Sequence, residues 1–242
     1  MTGGWTESAQ AWIDNTGEQG DNARRFILDP VMQERLAARS YRRALDVGCG
    51  EGRFCRLMQE HGIQTVGIDP TLPLLEQARK RDPAGNPLGG DYREGVAEKL
   101  DFADASFDLV VSYLTLIDIP DIAAAIPEMA RVLAPGGALL IANLNPFLTA
   151  CLDRDWQKDA NGKRLHWPID DYLKETAHWL TWSGIRVVNW HRPMETYLRL
   201  LLAQGLTLAF FAEPRPAGGD ADFVERGSRV PWFHVMEWRK PA

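Results

Sequence analysis

Short apolar runs alternate with helical patterns through the middle of this 242-residue chain. Apolar runs bounded by turn residues predict buried strands, and the segments between them carry the spacing of crossover helices. The predicted strands, in chain order, are residues 44–47, 65–68, 92–95, 107–113 and 138–144. The predicted helices are residues 52–61, 70–81 and 122–133. This order of elements is typical of an α/β fold with a parallel sheet.

The pattern changes on either side of this region. Residues 1–43 precede the first strand and predict an N-terminal helical cover. Residues 145–192 fit no core element and are dense in aromatic side chains, and alternation around the turn Ser183-Gly184 predicts a β-hairpin. We therefore expect an inserted aromatic-rich cap at 145–192, with the core at 44–144 and 193–242. The last part predicts a helix at 193–204, strands at 206–212 and 231–238, and a mobile loop at 217–227.

The first strand runs into a glycine-rich turn that reads A-L-D-V-G-C-G-E-G over residues 44–52. Glycine at positions 48, 50 and 52 permits a tight turn and a close approach of bare backbone to a ligand. The second strand ends in Asp69. A carboxylate at this place in a βαβ unit can accept hydrogen bonds from ribose hydroxyls, so the pair predicts a nucleoside site.

The residues inside the turn indicate which nucleoside it binds. Arg53 stands where the third glycine of a dinucleotide fingerprint is expected, and Glu51 lies within the turn. A carboxylate repels a pyrophosphate but tolerates a ligand without phosphate groups. A nicotinamide-dependent oxidoreductase is therefore disfavoured, although it stays an alternative. A non-catalytic regulatory protein that binds the nucleoside ligand is a second alternative.

Four motifs together resemble those of class I S-adenosylmethionine-dependent methyltransferases of the small-molecule type. The glycine turn and Asp69 resemble motifs I and II, residues 94–102 resemble the segment beside adenine, Ser112-Tyr113-Leu114 occupies the place of motif IV, and residues 131–137 match the R-V-L-x-P-G-G turn. The resemblance implies a Rossmann-like seven-stranded, mostly parallel sheet with helices on both faces, completed by the final antiparallel pair. It also implies S-adenosyl-L-methionine as the cofactor.

The same resemblance implies the cofactor-binding residues. They are Asp46, Gly48, Cys49, Gly50, Asp69, Pro70, Val96, Ala97, Glu98, Ser112 and Tyr113. The chain departs from the family pattern in two places. Val96 stands where an acidic residue is usual, and Leu116-Ile117-Asp118 stands where relatives often carry a histidine.

These observations predict a methyltransferase that acts on a small aromatic or apolar acceptor. Methyl transfer from a sulfonium is an in-line displacement, so a general base is needed only when the acceptor must lose a proton early. His166 and His191 flank the cap where an acceptor would enter and are the candidate bases. Each also neighbours a tryptophan, as an ordinary packed histidine does, and the aromatic residues of the cap serve equally as a pocket lining or as packing.

Composition narrows the partners and the compartment. A net charge of −6 and an isoelectric point near 5.4 argue against nucleic acid as the main partner. The first ten residues do not read as a signal peptide, and no apolar stretch approaches the length of a membrane span. Three cysteines form no metal-binding pattern. We expect a cytoplasmic protein with a small-molecule substrate and without a metal or membrane partner.

Overall fold

The computed structural model describes residues 3–82, 85–151 and 155–242. Its strands are β1 Arg43–Val47, β2 Gln64–Asp69, β3 Asp91–Glu94, β4 Phe107–Tyr113, β5 Leu133–Leu144, β6 Gln157–Lys158, β7 Arg164–His166, β8 Thr176–Trp182, β9 Ile185–His191, β10 Thr207–Ala212 and β11 Phe233–Arg239. Its helices are α1 Trp5–Thr16, α2 Asp29–Ala37, α3 Arg53–Glu60, α4 Leu72–Arg81, α5 Ile122–Val132, α6 Pro146–Thr149, α7 Met194–Leu202 and α8 Ala221–Arg229. A π-helical turn, Arg24–Leu28, leads into α2.

Seven strands form one central sheet in the order β10-β11-β5-β4-β1-β2-β3. The five strands from β1 to β5 are mutually parallel, whereas β11 runs antiparallel to both β5 and β10. The order reverses between β1 and β4, and in open α/β sheets such a switch point opens a crevice at the carboxyl ends of the strands. The predicted fold class is confirmed.

Apolar side chains cover both faces of this sheet. On one face, α5 and α7 pack with sheet residues such as Leu45, Val110 and Ile141. On the other, α2, α3 and α4 pack with Leu109 and Leu140. The central strands β1, β2 and β4 are buried on both faces, which explains why they read as continuous apolar runs rather than as alternating ones.

The prediction of a mobile loop at 217–227 was wrong. The segment contains α8, which begins where the Asp220 side chain accepts a hydrogen bond from the backbone N–H of Phe223 at 2.8 Å. Phe223 is buried and meets Trp232 edge to face. Asp220, which follows the glycines at 218 and 219, is the sequence signal for the start of this helix.

The predicted cap contains two small two-stranded sheets, β6–β7 and β8–β9. The β8–β9 hairpin turns between Trp182 and Ile185, as the sequence predicted. Strand β9 also contacts α1, since Arg186 N–H donates to Ser8 Oγ at 2.9 Å, and it contacts the residue ahead of the helix cap, since Val188 N–H donates to Gly3 O at 2.8 Å. The hairpin and the N-terminal helix therefore form a continuous surface. None of the helices in the described ranges is long and apolar enough to cross a bilayer.

Candidate functional site

The turn after β1, residues 48–52, is called the glycine loop here. The backbone N–H groups of Gly48 and Cys49 both donate to Ile68 O, at 2.8 and 2.9 Å, which fixes the loop to the end of β2. A Cβ on Gly48 would lie 2.1 Å from Thr115 Cγ2, and the residue has a φ of +75°. Gly50 has a φ of +53° but faces open space. The first glycine is required by packing, and the second leaves room for a ligand.

Asp69 closes the opposite side of the loop. Its carboxylate accepts hydrogen bonds from Gly50 N–H at 3.0 Å and from Thr71 N–H at 2.8 Å. Burial raises the pKa of Asp69, and the two backbone donors act against that shift. A carboxylate has about four acceptor positions, so capacity remains for two ribose hydroxyls.

A cavity of about 460 Å³ opens at the carboxyl ends of β1, β2 and β4. It brings together ten of the predicted cofactor residues, namely Asp46, Gly48, Cys49, Gly50, Asp69, Pro70, Val96, Ala97, Glu98 and Tyr113. Ser112 does not line it. Successive side chains of a strand point to opposite faces, so Ser112, which is fully buried, lies on the far face of β4 from Tyr113. The geometry removes Ser112 from the predicted set.

The floor of the cavity holds a buried carboxyl, Asp46. Its Oδ2 meets Cys55 Sγ at 3.4 Å, while Oδ1 finds no hydrogen-bond partner within the described ranges. Burial raises the pKa of Asp46 to about 7. A buried carboxyl oxygen that lacks a protein partner calls for one from a ligand. Asp46 and the open space at Gly50 fit a cofactor with a cationic group.

Acidic side chains outnumber basic ones around the cavity. The carboxyl groups are those of Asp21, Asp46, Glu51, Asp69, Glu98 and Asp118, against the guanidinium groups of Arg24 and Arg53. Both guanidinium groups already have acidic partners, because Arg24 pairs with Asp21 and Arg53 pairs with Asp29. The lining therefore favours a cationic ligand over an anionic one.

Five residues of the lining, which we call the aromatic wall, are Trp5, Trp12, Asp118, Trp182 and Asn189. Arg24 stacks over the Trp12 ring at 4.7 Å from its centroid. Asn189 Nδ2 donates to Asp118 Oδ1 at 2.6 Å, and the Trp5 side chain donates to the same carboxyl. The wall combines side chains from α1, from the segment after β4 and from the hairpin.

Strand β9 and Arg192, the residue after that strand, hold the segment that carries Asp118. Trp190 N–H donates to Ile117 O at 2.7 Å. Arg192 is almost fully buried, and its guanidinium donates to Leu116 O, Ile119 O and Pro120 O at 2.7–3.0 Å. Arg192 thus holds this loop in place, and its donors are directed at backbone rather than at a substrate.

The two candidate bases lie away from this cavity. His166 is exposed on β7 and lines a separate surface depression with Trp156 and Trp167. His191 is buried, and its ring nitrogens meet Thr149 Oγ1 at 2.7 Å and Tyr172 O at 2.8 Å. The geometry gives His191 a structural position and does not support either histidine as a base. Within the described ranges, no group of three His, Cys, Asp or Glu side chains is arranged to hold a metal.

Sequence reasoning missed Trp5, Trp12, Arg24, Asp118 and Asn189 as cavity residues. Asp118 had a usable signal, because it follows the place of motif IV, where relatives often carry a histidine. No local signal marked Trp5, Trp12, Arg24 or Asn189. Only the tertiary structure brings α1, the π-helical turn and β9 to the cavity.

The fold and the cavity define a Rossmann-like protein with a nucleoside site suited to a ligand without phosphate groups. Residues 45–141 match the family model described as a methyltransferase domain. A solved S-adenosylmethionine dependent methyltransferase from Mesorhizobium loti is 30% identical with a TM-score of 0.74, and the match covers 93% of this chain and 100% of that one. The chain belongs to the class I S-adenosylmethionine-dependent methyltransferases, whose cofactor is S-adenosylmethionine. Family membership decides against the nicotinamide-dependent alternative.

Two curated relatives are O-methyltransferases. The malonyl-[acyl-carrier protein] O-methyltransferase of Pseudescherichia vulneris is 33% identical over 157 residues, which are 64% of this chain and 59% of that protein. The ubiquinone biosynthesis O-methyltransferase of Mesorhizobium japonicum is 33% identical over 130 residues, which are 53% and 50%. The chain thus matches about half the length of these relatives.

Proposed function

We propose that this chain transfers a methyl group from S-adenosylmethionine to a hydroxyl oxygen of a small aromatic or apolar acceptor. The observation that carries the acceptor class is the shared cavity, whose lining combines tryptophans, the cofactor residues and an excess of carboxyl groups. Stacking against indole rings favours a flat or apolar molecule, and the excess of carboxyl groups disfavours an anionic one. The names of the relatives support oxygen as the methylated atom.

The residues of the glycine-loop side hold the cofactor in this proposal. Asp69 accepts hydrogen bonds from the ribose, the turn at Val96–Glu98 flanks adenine, and Gly50 leaves space for the methionine part. Asp46 receives the ammonium group, which compensates its buried carboxyl. When bound, the cofactor supplies a methyl group on an electrophilic sulfonium.

We also propose the domain roles. Residues 1–43 form a helical cover, 44–144 and 193–242 form the catalytic core, and 145–192 form a cap. The aromatic wall supports the roles of the cover and the cap, because α1 and the β8–β9 hairpin supply its tryptophans. The two elements are joined by hydrogen bonds between the Ser8 side chain and the Arg186 backbone.

A second acceptor is the carboxylate of a malonyl thioester, which the name of one relative favours. Arg24 is the cavity residue that could meet such an anion, but Asp21 already pairs with it. We therefore place the hydroxyl acceptor first.

Formation of S-adenosylhomocysteine tests the proposal. The protein is incubated with S-adenosylmethionine and, separately, with phenols and catechols, with malonyl-acyl carrier protein and with aromatic amines. Turnover of a phenol or catechol is expected. Turnover of the malonyl thioester alone would overturn the acceptor class, and cofactor binding without turnover of any acceptor would favour the non-catalytic alternative.

A further inference from the structure

Asp118 occupies an unusual position among the acidic residues of the cavity. The other carboxyl groups are either paired or belong to the cofactor side. Asp21 pairs with Arg24, and Glu51 accepts from Trp12 Nε1 at 3.4 Å and faces Arg81 at 3.7 Å. Asp118 instead stands in the aromatic wall, where two uncharged donors hold it.

We propose that Asp118 accepts the proton of the acceptor hydroxyl during methyl transfer, which rests on the proposed function. Asn189 and Trp5 occupy two of the roughly four acceptor positions of the carboxylate, so it can accept a further hydrogen bond from the substrate. Both donors also fix its orientation. A base must lie within hydrogen-bond reach of the proton that it removes, and Asp118 lines the cavity that receives the acceptor.

The step balances in atoms and charge. The acceptor O–H bond breaks and its proton passes to the Asp118 carboxylate. An oxygen electron pair forms the new C–O bond, while the S–CH₃ bond breaks and leaves its electrons on sulfur. A sulfonium and a carboxylate thus become a thioether and a neutral carboxylic acid. The loss of two opposite charges in an enclosed cavity favours the product state.

The environment of Asp118 raises its pKa from the usual acidic range toward neutral pH. Burial is the largest cause and raises the pKa of Asp118 to about 8. The charged groups that act on it are Asp69 at the end of β2, which raises the pKa, and Arg24 of the π-helical turn, which lowers it. Trp5 from α1 and Asn189 from β9 contribute uncharged donors, which also lower it. With a pKa of about 8, the carboxylate is the minority form at pH 7 and predominates above about pH 8, so a rate that depends on this base should rise with pH over that range.

Asn189 and Arg192 are positioning residues in this proposal. Asn189 orients the carboxylate directly, and Arg192 holds the backbone on both sides of it through Leu116 O and Ile119 O. Hydrogen bonds from Asn189, Trp190 N–H and Arg192 therefore fix the segment around Asp118 to the end of the hairpin.

The test compares Asp118→Asn with the unmodified protein, using phenol, catechol and the more acidic 4-nitrophenol as acceptors. Asp14→Asn, the same exchange on the exposed side of α1, is the matched control. For phenol or catechol we expect kcat of Asp118→Asn to fall by about 100-fold at pH 7. The loss should be smaller for 4-nitrophenol, which ionises by itself, and should diminish as pH rises. Affinity for S-adenosylhomocysteine should stay unchanged in both variants.

Each outcome decides the matter. If the unmodified protein methylates a hydroxyl and Asp118→Asn keeps its rate and pH profile, the role of Asp118 is overturned while the proposed function stands. An equal loss for all acceptors at every pH would assign Asp118 to shape rather than to proton transfer. If the unmodified protein methylates no hydroxyl acceptor, the proposed function fails and the base assignment fails with it.

Discussion

The glycine loop and the aromatic wall line one cavity and meet where Trp12 Nε1 donates to Glu51, yet they are built from different kinds of contact. The glycine loop uses backbone N–H groups, such as those of Gly48 and Cys49, that strand geometry places against β2. The aromatic wall uses side chains from three segments far apart in the chain, represented by Trp5, Asp118 and Asn189. A backbone site is defined by local sequence, whereas a side-chain site depends on packing. Changes on the first side should act on the cofactor, and changes on the second should act on the acceptor.

Two glycines of the same loop give the largest contrast. Gly48→Ala brings a Cβ against Thr115 at positive φ, so we expect the free energy of unfolding to fall by about 3 kcal/mol. At Gly50 an added Cβ meets no protein atom within 4 Å, so the stability cost of Gly50→Val comes from the strain of a β-branched residue at a φ of +53° rather than from a clash. The side chain fills ligand space and should abolish S-adenosylhomocysteine binding. Urea denaturation and calorimetry measure the two effects. Normal cofactor binding by Gly50→Val would separate the glycine loop from the cofactor site.

Asp69→Ala tests whether the glycine-loop side of the cavity binds the ribose of the cofactor. The change removes two hydrogen bonds to the ribose, each worth about 1.5–3 kcal/mol when one partner is charged. Affinity for S-adenosylhomocysteine should fall at least tenfold, which corresponds to about 1.4 kcal/mol of binding free energy, while the protein stays folded. Asp91→Ala is the control, since that carboxylate pairs with Arg93 at the surface. Equal affinities for the two variants would refute the ribose assignment.

The pH dependence of stability tests Asp118 without an acceptor. Its pKa is raised to about 8 by burial, whereas an unfolded aspartate titrates near about 3.9. Between these values the folded protein binds more protons than the unfolded chain, so stability falls as pH rises through that window. Asp118→Asn removes this dependence. Relative to the parent, the cofactor-free variant should gain up to about 1.4 kcal/mol for each pH unit between pH 4 and 8 and no more above it. A constant difference across that range would show that Asp118 has an ordinary pKa.

The histidines give the smallest effects and oppose their predicted role. His166→Ala changes an exposed side chain and should leave both stability and methylation unchanged. His191→Ala loses its contacts with Thr149 and Tyr172 and should lower the free energy of unfolding by about 1–3 kcal/mol. Neither variant should show a methylation rate that recovers at high pH. Such recovery in either one would restore that histidine as the base.

The sequence predicted the sheet and brought together ten residues that line the cavity, because both depend on local patterns. Buried parallel strands read as apolar runs, and the carboxylate of Asp69 follows directly from the end of one of them. Ser112 does not line the cavity with Tyr113, because a motif names neighbouring residues together whereas a strand directs their side chains to opposite faces. The pairing of Asp118 with Asn189 spans 71 positions and arises only when β9 packs under the loop after β4. A local motif does not contain that information.

One contact next to the cavity lies partly outside the segment that the family model matches. Asp29 of α2 is buried, pairs with Arg53 of α3 and accepts from Tyr113 Oη at 3.0 Å. The family match begins at residue 45, so it contains both partners but not Asp29. A fragment cut at that boundary would retain every motif and lose the carboxylate that joins the first helix of the motif region to β4. We therefore expect a fragment that begins at residue 45 to be less stable than one that includes α2.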